Sequence, residues 1–295
     1  MNAKERGFLL LTSTLGDPAR KPLTVAQFRT LSTRVRQMEK PQTPRALQPE
    51  DLVKLGYDWC TAGRIISLFA DEQVLEQYIA RGEKYDCVPV SRVSPAYPAA
   101  VRLRLGMDAP GCLWAKGDMR LLANQTVSLV GSRDLQEPNR VFAERAGYEA
   151  ARQGITLVSG NARGADRTAQ QACLNAGGSV ICVVADELQK YPLQKNVLYL
   201  SEDSFDLPFT SQRALSRNRV IHALGYLTLV AQSDVGIGGT WDGTIKNLRS
   251  GWSPVFCFAD GSNAMAELVQ MGASSVTAEQ LQDLSALQAD IKSLF

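Results

Sequence analysis

Three short segments concentrate residues that could hold an anion. They are Gly131-Ser132-Arg133, Ser159-Gly160-Asn161-Ala162-Arg163-Gly164-Ala165-Asp166 and Gly236-Ile237-Gly238-Gly239-Thr240-Trp241-Asp242-Gly243-Thr244. Glycine lets a backbone approach a phosphate closely, and a helix that follows directs its free N–H groups at the charge. Arg133 and Arg163 add planar donors that match phosphate oxygens. A fourth segment, Arg213-Ala214-Leu215-Ser216-Arg217-Asn218-Arg219-Val220-Ile221, places Arg213 and Arg217 four residues apart on one helical face. Like charges so spaced repel unless an anion or acidic partner lies between them, so an anion contact from Arg217 or Arg219 is expected. Asp166 is read as a cap of the helix starting near Arg167 rather than as an acceptor for a ligand hydroxyl, and Asp242 faces the same choice. Trp241 either stacks on a base or covers the sheet edge. His222, on an apolar helix face, is read as a packed core residue.

Other chemistries lack their residues. With one histidine in the chain, a His-based metal site and a Ser-His-Asp triad are both improbable. The six cysteines, at 60, 87, 112, 173, 182 and 257, form no CxxC pair and are expected to be free thiols in a reducing cytoplasm. Gly131 stands alone where a dinucleotide fingerprint needs GxGxxG, and the P-loop pattern GxxxxGK[ST] is absent. No metal, no cofactor and no catalytic residue are therefore expected.

The elements that must position these loops alternate in type. Strand-like runs at Thr126–Val130, Ile155–Val158, Ser179–Ala185, Val197–Leu200, Leu227–Ala231 and Pro254–Phe258 are interleaved with amphipathic helices near 138–153, 165–176, 211–224 and 242–250. Near-continuous apolar strands indicate a parallel sheet buried on both faces. The fold class is therefore α/β, a Rossmann-like, doubly wound, mostly parallel sheet whose ligands sit beyond the carboxyl ends of its strands. Ahead of it, residues 1–84 read as a small helical domain. Val25, Phe28, Leu31, Val35 and Met38 keep helical spacing over 24–39 with Thr24 as N-cap, and further helices open at Gln48-Pro49 and cover Thr61–Phe69 and Glu72–Ile79. Residues 85–122 read as a connector with a short strand at Tyr85–Val90. Residues 123–272 form the Rossmann-like domain, and 273–295 a tail with one helix over Ala278–Leu294.

Of the 295 residues, 45% are hydrophobic and 21% charged, an ordinary globular balance that excludes disordered and coiled-coil classes. No apolar run is long enough for a membrane span, and no signal peptide is read in the first 25 residues. Residues 1–122 hold 18 Lys+Arg against 13 Asp+Glu, and 123–295 hold 14 against 17. A polyanion site would thus be a local pocket of a few arginines rather than a basic coat.

The order and spacing of several segments resemble the DprA/Smf family of DNA-processing proteins over roughly residues 45–260. Tyr97-Pro98 is followed by Pro110-Gly111-Cys112-Leu113-Trp114-Ala115-Lys116-Gly117-Asp118, then by Val130-Gly131-Ser132-Arg133 and the loop Ser159–Asp166. Ala176-Gly177-Gly178, Tyr191-Pro192, Ser201-Glu202 and Arg217-Asn218-Arg219-Val220-Ile221 complete the series. The resemblance implies a cytoplasmic bacterial protein that binds single-stranded DNA, dimerises, and helps to load a RecA-type recombinase during natural transformation, without a catalytic step. It places the DNA-phosphate site at Gly131, Ser132, Arg133, Ser159, Gly160, Arg163, Gly164, Arg217, Asn218 and Arg219; the third glycine segment, read from its residues alone, offers a possible ligand loop at Gly238, Gly239, Thr240 and Trp241. The resemblance also likens the N-terminal helices to the family's small helical (SAM/HhH-like) domain.

Two stretches depart from the family pattern. A glycine-rich turn before Tyr-Pro is replaced by Ala185-Asp186-Glu187-Leu188-Gln189-Lys190, whose two acids would weaken a local phosphate contact. The family's SGSL-like loop is replaced by Gly238–Thr244. The chain also stops at Phe295, which is expected to leave no room for a winged-helix domain. Two other functions stay open. One is a Rossmann-like sensor of a small nucleotide. The other is a nucleoside-monophosphate hydrolase of the LOG type, although Asn247 stands where that chemistry wants a glutamate.

Overall fold

The computed structural model describes residues 1–38 and 45–287. Five helices open the chain: α1 (Ala3–Thr12), α2 (Val25–Arg36), α3 (Pro49–Lys54), α4 (Trp59–Ala70) and α5 (Glu72–Glu83). Thr24 caps α2 through a reciprocal pairing with Gln27, as the sequence predicts. Helix α1 escapes a periodicity reading because Phe8, Leu9, Leu10 and Leu11 are buried in succession, leaving no polar face to mark the turn. Leu11, Leu31, Leu52, Ile65 and Leu68 pack the bundle internally, whereas Phe8, Leu9, Leu75 and Tyr78 belong to the same core as the sheet.

The sheet follows as β1 (Val88–Ser91), α6 (Ala99–Leu105), β2 (Cys112–Gly117), β3 (Thr126–Val130), α7 (Glu137–Arg152), β4 (Thr156–Ser159), α8 (Ala165–Asn175), β5 (Val180–Val184), β6 (Val197–Glu202), α9 (Ser211–Leu224), β7 (Thr228–Val230), α10 (Gly238–Ser250), β8 (Val255–Phe258), α11 (Asn263–Gln270) and β9 (Ser274–Val276). The nine strands lie in the order β1-β2-β6-β5-β4-β3-β7-β8-β9. Strands β6 to β9 in that order pair in parallel, while β1 pairs antiparallel to β2 and β2 antiparallel to β6. The fold is thus the mostly parallel, doubly wound α/β sheet expected. The segment 85–122 contributes two of its strands, and Trp114 of β2 is 2% exposed.

Consecutive strand residues alternate between two apolar layers. Leu129, Leu157, Val180 and Cys182 face the layer that holds Phe142 and Ala146 of α7; Val130, Val158, Ile181 and Val183 face the one that holds Val220, Ile221 and Trp241. Polar residues of β3 are buried because α9 supplies partners: Ser128 Oγ donates to Ile221 O at 2.6 Å and Thr126 Oγ1 to Leu224 O at 2.7 Å. From β3 the chain winds through β4, β5 and β6 to one side, then returns through α9 to place β7 on the other. The winding direction therefore reverses between β3 and β7.

At the chain's end, Glu279–Ala286 forms 3-10 turns where a helix over Ala278–Leu294 is expected, and residues 288–295 lie outside the described residues. All six cysteines are free, with Cys60 alone exposed. Among the described residues, no helix is long and apolar enough to cross a membrane.

Candidate nucleic-acid interface

Open α/β sheets bind ligands where the strand order reverses, and here a pocket of about 400 Å³ opens beyond the carboxyl ends of β3 and β7. Its two loops are tied together. Ser132 N donates to Gln232 O at 3.0 Å, while the Gln232 side chain accepts from Gln136 N at 2.9 Å and donates to Asp134 O at 3.0 Å. Thr240 Oγ1, in the first turn of α10, donates to Gly131 O at 2.9 Å. Gly131 cannot carry a side chain, since a Cβ there would lie 2.5 Å from that of Ala165.

Asp166 fastens the neighbouring loop. Its Oδ2 accepts from Gly160 N at 3.0 Å and Ala162 N at 3.1 Å, so it serves the loop before α8 and does not cap the helix as expected. Burial raises its pKa, opposed first by the nearby Arg217 guanidinium and then by those two amides. Arg217 is itself buried, at 8% exposure, and donates from Nη1 to Val183 O at 2.9 Å. Its guanidinium lies against Gly160, where a Cβ would fall 1.4 Å from Nη1. Burial lowers the Arg217 pKa, and Asp166 counters that. Arg213, one helical turn earlier, donates to Ala185 O, Leu207 O and Pro208 O. For Arg213, carbonyl oxygens past β5 and before α9 thus do what the sequence assigns to an anion, whereas Arg217 keeps its Nε buried without a partner.

Arg133 differs from both. It is exposed, lines the pocket, and among the described residues makes no hydrogen bond or ion pair. Asn218 donates from Nδ2 to Gly239 O at 3.0 Å, which fixes its amide beside the start of α10. Ser233, just past β7, is buried with no partner for its Oγ.

A family model described as DNA recombination-mediator protein A matches residues 89–286. The chain belongs to that family. It is 30% identical over 171 residues to DNA processing protein DprA of Bacillus subtilis, a match that spans 54% of this chain and 56% of that protein. The X-ray structure of DprA from Streptococcus pneumoniae superposes with a TM-score of 0.70 at 22% identity, over 98% of this chain and 99% of that one. A DprA of Helicobacter pylori, known for its mode of single-stranded DNA binding, gives a TM-score of 0.56 at 22% identity, over 66% of this chain and 94% of that one. These likenesses show the fold.

The expected site residues divide in two. Gly131, Ser132, Arg133, Arg217, Asn218, Gly238, Gly239 and Thr240 line the pocket. Ser159, Gly160, Arg163, Gly164, Arg219 and Trp241 do not. Ser159 Oγ is buried and accepts from Gln170. Gly160 and Gly164 serve the chain's own packing: a Cβ at Gly164 would lie 2.4 Å from Ser132 O, and its φ is +84°. Arg163 pairs with Asp134 at 2.7 Å on the rim, both side chains well exposed.

Arg219 turns away altogether. It pairs with Glu202 at 2.9 Å and donates to Asp108 O at 2.9 Å, in a separate depression with Lys246 and Trp252. Trp241 is neither a stacking platform nor a loop residue. Helix α10 starts at Gly238 rather than near 242, so Trp241 falls in its first turns and packs into the core at 6% exposure. Asp242 lies exposed on α10 and caps nothing.

His222 is a core residue, as expected. Nδ1 lies 3.1 Å from Asn247 Nδ2 and 3.3 Å from Thr228 Oγ1, and burial pushes its pKa down to about 3. Sequence reasoning missed Gln232, Ser233 and Asp234, because it began the third loop at Gly236. Their position directly after a predicted strand was the available signal.

Proposed function

We propose that the chain binds single-stranded DNA at the pocket between β3 and β7 and acts as a recombination mediator. In this reading it works as a homodimer in the cytoplasm and delivers the strand to a RecA-type recombinase, as in natural transformation. It is a binding protein rather than an enzyme. Residues 123–272 would be the DNA-binding domain, 85–122 its connection to the helical unit 1–84, and 273–295 a tail.

The observation that carries the reading is the free guanidinium of Arg133 at the mouth of a switch-point pocket, beside backbone at Gly131 and Ser132. Membership of the DprA family supports it, as does the shared fold with an H. pylori relative that binds single-stranded DNA. Of the residues implied by the resemblance, Arg133, Ser132, Gly131 and Asn218 would touch the strand. Ser159, Gly160, Arg163 and Gly164 would shape the loops beneath it.

Phosphate contacts would make affinity fall with salt. The test is a salt-titrated binding curve on single- and double-stranded oligonucleotides with wild-type protein and Arg133→Ala. The variant should lose about 1–3 kcal/mol, as for a lost charge-assisted hydrogen bond. Unchanged affinity would remove the assignment.

One observation favours a small-nucleotide sensor as a second reading. The pocket lining carries two arginines, Arg133 and Arg217, and two aspartates, Asp166 and Asp234, so it has no formal excess of positive charge. A thermal-shift screen of nucleotides against oligonucleotides separates the two readings, because a ligand that binds only the native state raises Tm. The hydrolase reading is set aside: Asn247 is fully buried, with Nδ2 directed at Ser253 Oγ and His222 and Oδ1 accepting from Ser253 N at 2.9 Å.

A further inference from the structure

A second cavity lies within the helical unit, away from the sheet. It encloses about 230 Å³ between the start of α2 and the first two turns of α4. At about 30 Å³ per water that is the volume of roughly seven waters, room for a molecule of about ten non-hydrogen atoms. Leu23 and Ile65, both buried in the bundle core, form its apolar wall, and Ala26 and Gln27 are exposed at its mouth. Two of its lining residues carry buried donors with no partner among the described residues: Tyr57 Oη and Arg64 Nε. A buried donor left unmet keeps its desolvation cost, the more so on a cation. The Tyr57 ring is held where it is, since Arg34 Cζ stands 4.5 Å from its centroid and Arg34 Nη1 donates to Gly56 O at 3.2 Å.

The charge around this cavity has one sign. Arg64 is the one charged residue of its lining. Helix α2 carries Arg29, Arg34 and Arg36 and no acid, and α4 carries no acid either. Asp58, just before α4, is occupied as that helix's cap, accepting from Thr61 N at 2.8 Å and Thr61 Oγ1 at 2.7 Å. Thr30 Oγ1 donates to Ala26 O at 3.1 Å, and Gln27 Oε1 accepts from Thr24 N at 3.0 Å. Both threonine protons are therefore spent. What remains to meet a ligand is one guanidinium, one phenol and the Gln27 amide at the mouth, against an aliphatic wall. A phosphate dianion calls for more cations or a cluster of N–H groups. A single carboxylate matches one cation, and its oxygens accept from several donors at once. An apolar body attached to it would cover Leu23 and Ile65.

We propose that the cavity between α2 and α4 binds a small monocarboxylate with an apolar body. The carboxylate lies on Arg64 and Tyr57 Oη, and the body lies against Leu23 and Ile65. This is a second ligand site, independent of the pocket between β3 and β7, and either can fail without the other.

The test is a ligand-observed NMR titration of the full chain with hexanoate, acetate and the neutral hexanamide. Hexanoate should bind at least about tenfold more tightly than acetate, since each buried methylene is worth about fourfold. It should exceed hexanamide by about tenfold as well, because the amide brings no charge to Arg64. Arg64→Gln and Tyr57→Phe should each weaken hexanoate by about tenfold, while Arg133→Ala leaves it unchanged. Thermal unfolding without ligand gives a second readout: Tyr57→Phe should be at least as stable as wild type, because its hydroxyl has no bond to lose. The wild-type comparison and Tyr57→Phe decide the matter if Arg64→Gln folds poorly. Hexanoate binding that is lost in Arg133→Ala and kept in Arg64→Gln would put the anion in the sheet pocket and overturn the proposal. Equal affinity for the three probes, no binding of any, or a Tyr57→Phe chain that unfolds earlier than wild type would overturn it too.

Discussion

Gly160→Ala separates two accounts of the glycine in the second loop. If glycine is there so that a phosphate can approach, the substitution damages binding and spares stability. The structure gives the opposite expectation. A Cβ at position 160 would lie 1.4 Å from Arg217 Nη1, 2.2 Å from Cζ and 2.4 Å from Nη2, against the roughly 3.5–4.0 Å of ordinary contact. The guanidinium must then move by about 2 Å, and its bond to Val183 O is lost. Losing a hydrogen bond from a charged donor and overpacking a filled site together cost on the order of 4 kcal/mol. For a chain of 295 residues that lowers Tm by roughly 6 °C.

The assay is denaturant unfolding of four proteins: wild type, Gly160→Ala, Arg217→Ala and the double variant. Arg217→Ala is itself destabilising, because it takes away the cation that offsets the buried Asp166 carboxylate. Once the guanidinium is gone, the three atoms nearest that methyl go with it, so its cost in that background should fall to about 1 kcal/mol, the Gly-to-Ala scale where no clash remains. The coupling term of the cycle then accounts for most of the single-variant loss. A Gly160→Ala protein as stable as wild type, or a glycine penalty that persists in the Arg217→Ala background, would refute this packing argument.

Other substitutions follow from the placement of single residues. Arg219→Ala should leave single-stranded DNA affinity within about 0.5 kcal/mol of wild type, since that side chain is spent on Glu202 and Asp108 away from the pocket; the same mobility-shift titration used for Arg133→Ala measures it. Trp241→Ala should cost about 3–5 kcal/mol of stability by emptying a core site, yet leave the affinity of the folded fraction unchanged. Two buried groups set opposing pH slopes. His222 has a folded pKa near 3, below its unfolded value near 6.5, so its contribution is complete above pH 6.5 and is lost as pH falls toward 3. Glu202 is raised by burial to about 7 from 4.5, so its contribution is complete below pH 4.5 and is lost as pH rises through 7. His222→Gln should remove the first slope and Glu202→Gln the second, each worth a few kcal/mol, as read from denaturation midpoints between pH 4 and about 8.

The central strands were legible because apolar runs bounded by glycine leave few alternatives. Thr126–Val130 is expected and found with the same ends, and helix α9 runs over 211–224 as its periodicity says. Strand β2 was hidden because Cys112–Gly117 sits between proline and glycine turns in a stretch that reads as a connector; only pairing with β1 and β6 makes it a strand. Helix α10 was started too late, because glycines at 238, 239 and 243 read as loop. Gly238, with φ +86°, begins the helix instead, and Gly243 leaves room for Asn218 and His222 of α9. Spacing correctly put Arg213 and Arg217 on one face. It could not show which carbonyls would receive them, nor that Arg219 would turn to Glu202, because those partners come from β5, β6 and the loops around them. Sequence marks which residues can bind an anion. Whether they are free to do so depends on partners brought in from distant strands.

That dependence bears on how the proposed site would hold a polyanion. Of the two arginines in the pocket lining, Arg217 is buried, with Nη1 donating to Val183 O and Nε without a partner, and Arg133 is exposed and free. Affinity gained by displacing counterions grows with the number of phosphates neutralised, so one free guanidinium per pocket gives a shallow salt dependence. Tight binding must then come from contacts that do not depend on charge or from several pockets engaging one strand. The two routes leave different marks. Contacts to base edges make affinity sensitive to base identity and indifferent to strand length beyond a single site. Several linked pockets make it rise steeply with length and stay indifferent to sequence. Arg133→Ala would cut the salt slope in both cases.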